Sequence, residues 1–151
     1  MLDLDRVTVL DGGLATELEA RGHDLSGSLW SARMLRDEPA EIEEVHLSFF
    51  RAGAQVATTA SYQASFDGFA REGIDGIRAA ALMRRSLELA ERARARRIAE
   101  LPAGAELHVA ASIGPYGAAR ADGSEYRGNY GVTRDELASF HAPRLAELVD
   151  A

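Results

Sequence analysis

Val7-Thr8-Val9-Leu10-Asp11-Gly12-Gly13 is the stretch on which the fold turns. Its first four residues are apolar and β-branched enough for a short strand, and Asp-Gly-Gly ends the run abruptly. Two later runs have the same character. Gln55-Val56-Ala57-Thr58-Thr59 is entered through Gly53 and left through Ser61-Tyr62-Gln63, and Leu107-His108-Val109-Ala110-Ala111-Ser112 is ended by Gly114-Pro115. None alternates cleanly between apolar and polar residues. Near-continuous small or apolar runs are how strands of a parallel sheet read when both faces are covered.

Helical segments lie between and after these runs. Asp37 and Pro39 mark one start, Ile42, Val45, Phe49 and Ala52 follow at spacings of three and four, and Gly53 supplies the stop. A second helix is predicted from Asp75 to about Glu100, with Ala79, Leu82, Met83, Leu87, Ala90 and Ala93 on one face. A third opens with the capping-box spacing of Thr133 and Glu136 and carries a stripe of Leu137, Phe140, His141, Leu145 and Leu148. Pro143 falls inside that stripe and would cost about 3 kcal/mol in a regular helix interior, so a kink or restart is expected there. Strand followed by helix, three times over, is the pattern of βα units on a parallel sheet. The pattern alone does not separate a doubly wound sheet from part of a barrel, although no glycine fingerprint of a dinucleotide or P-loop site follows any strand.

The bulk properties narrow the class. The chain has 151 residues, with 46% hydrophobic and 27% charged, the balance of a folded globular protein. A complete (β/α)8 barrel takes about 250 residues. Net charge of −7 argues against a general nucleic-acid or membrane-surface role, and no apolar run reaches the roughly 18 residues of a membrane span. The opening MLDLDRVTVL carries acids where a secretion signal would carry lysines, so a cytoplasmic location is expected. The basic cluster of Arg92, Arg94, Arg96 and Arg97 reads as solvated cations near a helix C-terminus, in preference to a phosphate-binding patch. The absence of cysteine removes disulfides, thiol catalysis and cysteine-based metal sites.

Ligands of parallel α/β folds bind at the carboxyl ends of the strands. Those ends here are Asp11-Gly12-Gly13, Thr58 through Gln63, and Ser112 through Tyr116. One acid, two glycines and several hydroxyl and amide groups can hold an ammonium and hydrogen-bond a carboxylate, which suits an amino-acid-like ligand. His23, His46, His108 and His141 have no metal-ligand spacing and read as structural or surface residues. Trp30 reads as a packing residue. No GxSxG elbow supports a serine hydrolase.

Several segments together resemble one family. Val9 through Leu18 (VLDGGLATEL), Leu29-Trp30-Ser31-Ala32-Arg33, Ala52-Gly53-Ala54 leading to Thr58 through Ser65 (TTASYQAS), Ala110 through Ala118 (AASIGPYGA) and Asp122 through Gly128 (DGSEYRG) resemble the homocysteine-binding domain of homocysteine S-methyltransferases. The resemblance covers essentially all 151 residues and looks closest to the branch using S-methylmethionine or S-adenosylmethionine. It implies the N-terminal three βα units of a (β/α)8 TIM barrel, residues 1–151 being a partial homocysteine-binding domain that stops before the fourth strand. It further implies methyl transfer from a sulfonium donor to a homocysteine thiol activated by zinc, giving methionine. Zinc is expected in the complete family member, held by three cysteines that this chain lacks, so no metal ligand and no certain catalytic residue is assigned here. The substrate-binding residues implied are Asp11, for the amino group, Gly12, for close backbone approach, and Thr59, Ser61 and Gln63, which line the pocket. The expected partners are homocysteine and the donor, with neither nucleic acid nor membrane, and a missing C-terminal half. The expected fragment is inactive alone. The alternatives are a non-catalytic partial barrel binding an amino-acid-like ligand, and a half-enzyme complemented by a cysteine-bearing chain.

Overall fold

The computed structural model describes residues 7–26, 30–120 and 122–149. Its longest helices form where the sequence predicts them. Helix α3 (Pro39–Arg51) has proline in its first turn, and Gly53 beyond its end takes φ +112°, a conformation open to glycine and strained for other residues. Helix α5 (Gly76–Ala99) is capped by the Asp75 side chain, which accepts from the Arg78 N–H at 2.9 Å. Helix α7 (Arg134–Val149) starts with a reciprocal capping box, in which the Thr133 N–H donates to Glu136 at 2.7 Å and the Glu136 N–H donates to the Thr133 hydroxyl at 3.2 Å. The expected restart at Pro143 does not occur. The helical run passes through it, and the residue 143 position is solvent-exposed. Four shorter helices complete the set among the described residues: α1 (Leu14–Ala20), α2 (Trp30–Asp37), α4 (Phe66–Arg71) and α6 (Tyr116–Arg120). The side chain of Trp30 lies outside the described residues.

Strand content is lower than the βα pattern predicts. Among the described residues only β1 (Val56–Thr58) and β2 (His108–Ala110) form a ladder, parallel, with Val56 opposite His108 and Thr58 opposite Ala110. The Val7–Leu10 run contributes one isolated parallel bridge, Leu10 to Val56, steadied by the Gln55 N–H donating to the Val9 carbonyl at 2.8 Å. The expectation of three βα units of a (β/α)8 barrel, truncated before a fourth strand, is therefore corrected. The described fold is mostly α-helical, with two parallel strands in an open, uncurled sheet. Closure into a barrel requires many tilted strands in staggered register. Two three-residue strands cannot supply that curvature, and the edge beside them is open, with Val9 49% and Leu10 60% exposed.

The core lies between helices. Ile42 and Val45 of α3 pack in one cluster with Leu82, Met83 and Leu89 of α5, whereas Leu47 and Phe50 turn toward Ala57 of β1 and Ala93. Helix α3 is thus buried on two sides, a wider surface than its predicted stripe, and Ala52 of that stripe is exposed. The α5 face is buried as its spacing predicts, with Leu87 partly so. Arg92 and Arg96 are not simply solvated cations. They reach across to α3, pairing with Glu43 at 2.8 and 2.9 Å, and Arg96 also meets Glu44 at 2.6 Å. On α7 the pattern inverts locally, for Leu145 points outward at 44% exposure while Arg144 is fully buried.

Candidate functional site

A cleft of about 410 Å³ opens where the parallel segments end. Gly12, Gly13, Leu14 and Ala15 form one wall, Thr58, Thr59, Ala60, Tyr62 and Gln63 a second, and Ser112 with Glu125 and Tyr126 a third. Two depressions of comparable size lie elsewhere, one beside α7 at Phe66, Tyr116 and Phe140 and one between α4 and α5 at Gly73 and Arg85. Neither is at the strand ends, where parallel sheets converge their loops on a ligand.

Asp11 is not among the lining residues, but it immediately precedes Gly12 and is bonded to Thr58, both of which are. Its two carboxylate oxygens accept from the Thr58 N–H at 2.7 Å and the Thr58 hydroxyl at 2.9 Å, which lashes the end of the first segment to the end of β1. Burial raises its carboxyl above the ordinary 3.8, with the bonds from Thr58 pulling the other way. A carboxylate has about four acceptor sites, so two bonds from Thr58 leave capacity for an ammonium.

Thr59 stands on the cleft wall, and its hydroxyl is engaged with that of Ser61. Both are buried, and Ser61 is not on the cleft wall. The Thr59 hydroxyl lies 2.6 Å from that of Ser61, Ser61 donates to the Ser112 carbonyl at 2.8 Å, and the Ser112 N–H donates back to Thr59 Oγ1 at 2.9 Å. This closed ring extends the β1–β2 pairing past the last ladder residues through side chains. Gln63 does line the cleft, and its amide oxygen is buried without a protein hydrogen-bond partner. An unpaired buried acceptor is costly, and a ligand donor placed there would relieve it. Gly12 also lines the cleft, but the nearest obstacle to a side chain there is internal: a Cβ would stand 2.8 Å from Cε1 of Phe49.

Glu125, Tyr126 and Tyr62, none of them among the substrate-binding residues that the resemblance implies, also reach the cleft. Tyr62 donates a long hydrogen bond of 3.4 Å to Glu125, and burial together with that carboxylate pushes its phenol above the ordinary value. The short 3-10 turn at Ser124–Tyr126 that carries Glu125 packs on Gly117 of α6, where a Cβ would lie 2.7 Å from the Glu125 Cα. Gly117→Ala is therefore expected to displace the turn and to cost about 1–3 kcal/mol, measurable as a lower urea midpoint at unchanged slope. A loss below about 0.5 kcal/mol would show that the contact yields freely.

The described residues offer no metal centre. No group of three or more His, Asp or Glu side chains there converges as a metal site, and the chain has no cysteine. The histidines are dispersed. His46 is buried in the core, His23 lies 3.5 Å from Glu41, and His141 stands 3.3 Å from Arg144. These residues do not fit the zinc that the family resemblance implies, and no step through a zinc-bound thiolate is assigned to them.

A helical scaffold here presents a carboxylate, hydroxyls and an amide around a strand-end cleft, the kind of place at which α/β enzymes bind small molecules. Comparison with known proteins makes this specific. The family model described as homocysteine S-methyltransferase matches residues 8–151, and the chain belongs to that family of methyl-transferring enzymes. It is 52% identical over 151 residues to the homocysteine S-methyltransferase of Escherichia coli (strain K12), covering 100% of this chain and 49% of that protein. Homocysteine S-methyltransferase YbgG of Bacillus subtilis (strain 168) is 48% identical over 159 residues, again at 100% and 49% coverage. The metallated form of the homocysteine methyltransferase MmuM from Escherichia coli superposes with a TM-score of 0.92 at 52% identity, covering 97% of this chain and 52% of that one.

The chain spans about half the length of the curated relatives it matches. Family similarity runs over nearly the full chain, residues 8–151, so membership of the family, rather than a fragment without activity, is what the match shows. The zinc-activated thiol expected of the complete family member is not assigned to these residues: no metal-holding group is present among the described ones, and the chain has no cysteine. No helix of the described residues is long and apolar enough to cross a membrane.

Proposed function

We propose that the protein transfers a methyl group to the sulfur of homocysteine, and that this chain binds the amino-acid part of that substrate. Residues 1–151 are read as part of one homocysteine-binding domain of a cytoplasmic protein. The observation that carries the proposal is the unpartnered amide oxygen of Gln63 on the cleft wall, with the Asp11 carboxylate bonded to Thr58 of the same wall. Asp11 and Gln63 meet the ligand's donors, Gly12 and Thr59 form the wall beside them, and Ser61 holds that wall in shape from behind. A sulfonium methyl donor is positively charged, and Glu125 with the rings of Tyr62 and Tyr126 offers the carboxylate and π-faces that attract such a cation. The chain's own contribution is to bind and orient, which lowers the barrier by placing sulfur and methyl carbon in line.

Calorimetric titration tests this directly. Homocysteine is expected to bind saturably, and 4-mercaptobutanoate, which keeps thiol and carboxylate but lacks the amino group, at least about tenfold more weakly. Equal affinity for the two would remove the ammonium site, and no saturable binding of homocysteine would remove the proposal.

A further inference from the structure

Arg144 is the largest fully buried side chain in the described fold. A buried guanidinium is normally paired with a carboxylate, because taking a charge out of water is costly. Among the described residues Arg144 has no such pair. It lies over the Phe140 ring at 5.0 Å, beside His141 Nδ1 at 3.3 Å, and donates through Nη1 to the Gly114 carbonyl at 3.0 Å and through Nη2 to the Tyr62 carbonyl at 3.1 Å. A leucine at this point of α7 would continue the apolar stripe without that cost, so packing alone does not explain the arginine.

The two carbonyls it holds give the explanation. Tyr62 belongs to the loop that follows β1, and Gly114 to the loop that follows β2. These are the loops that place Gln63 and Ser112 on the cleft wall. They already touch through the Gly114 N–H, which donates to the same Tyr62 carbonyl at 3.0 Å. The approach there is close enough that a Cβ on Gly114 would stand 2.5 Å from that oxygen. Beyond the ladder, then, the loops are held by the Thr59–Ser61–Ser112 ring and, at the outer end, by a fork of two charge-assisted bonds from one side chain. A planar guanidinium suits this task, since its donors diverge at fixed angles and can address two acceptors at once.

We propose that Arg144 is a positioning residue that locks the two strand-end loops together and thereby sets the affinity of the cleft for its amino-acid ligand. The affinity part rests on the homocysteine reading above, whereas the loop-locking part stands on the geometry.

The test compares Arg144→Met, Arg144→Lys and Leu148→Ala in the full chain. Leu148 is buried on the same helix and makes none of these bonds, so it reports simple destabilisation. Two quantities are read: hydrogen exchange of the Gly114 and Ser112 amides relative to core amides of α5, and the homocysteine Kd. Arg144→Met is expected to speed exchange at both loop amides about tenfold over the core reference and to weaken homocysteine about tenfold. Arg144→Lys, whose ammonium can still reach one carbonyl, is expected to recover part of both effects. Should the methionine variant fail to fold, the lysine variant carries the same comparison at smaller amplitude. Loop exchange and Kd moving no further than in Leu148→Ala would overturn the proposal. Absence of homocysteine binding in the unmodified chain would instead remove the functional reading, and the exchange data would still decide whether Arg144 locks the loops.

Discussion

Acidification from about pH 7 to about pH 4 is expected to cost this protein about 3 kcal/mol of folding stability through one residue, His46. The imidazole is fully buried on α3, and neither ring nitrogen has a hydrogen-bond partner. Burial alone drives its pKa from 6.5 down to about 4. The sign follows from which state binds the proton first. Between the two values the unfolded chain takes up a proton that the folded chain refuses. Stability is therefore complete above about pH 6.5, falls as pH drops through the unfolded value, and levels off below the folded one. His141, also held low by burial and by Arg144, acts in the same direction. Against a typical total of about 5–15 kcal/mol, the loss is large. Urea unfolding at both pH values, repeated on His46→Leu, measures it. The leucine variant keeps an apolar core without a titrating group, so its stability should depend far less on acid in this window. An acid loss of the same size in both proteins would assign the effect to other groups.

Replacing Asp11 by asparagine is expected to weaken homocysteine binding roughly 30- to 1000-fold while leaving the fold within about 1 kcal/mol of its original stability. The two halves of that expectation have separate causes. Asparagine is nearly isosteric, and its amide can accept from the Thr58 N–H and donate to the Thr58 hydroxyl, so the link between the first segment and β1 survives. What disappears is the negative charge. In the proposed complex that charge faces an ammonium at a half-buried site, and removing one partner of such a pair costs about 2–4 kcal/mol. The measurement is calorimetric affinity beside a urea denaturation curve. A Kd within threefold of the original would mean that Asp11 serves only to join the two chain segments.

Much of this was legible from local chemistry. The proline of α3, the Asp75 cap of α5 and the Thr133–Glu136 box of α7 act within a turn or two of backbone, so the residue types alone announce them. The strand-end positions of Asp11, Thr59 and Gln63 were legible for the same reason, since the punctuation that ends each apolar run is local. Strand pairing was not. Whether Val7–Leu10 makes a ladder or a single bridge depends on what lies beside it, and the run forms one bridge, at Leu10. The roles of the hydroxyls were equally hidden, because the ring of Thr59, Ser61 and Ser112 joins residues some fifty positions apart.

The sequence by itself determined the family, the long helices with their caps, and the residue types gathered at the strand ends, because each rests on residues close together along the chain. Tertiary structure alone decided that the sheet stays open at two strands, that Glu125 and Tyr126 reach the cleft, and that Arg144 is buried where Leu145 was expected. These are outcomes of packing between distant segments. A helical stripe shows which residues could face inward, but the carbonyls that make an inward arginine tolerable come from two other loops, brought together only when the chain has folded.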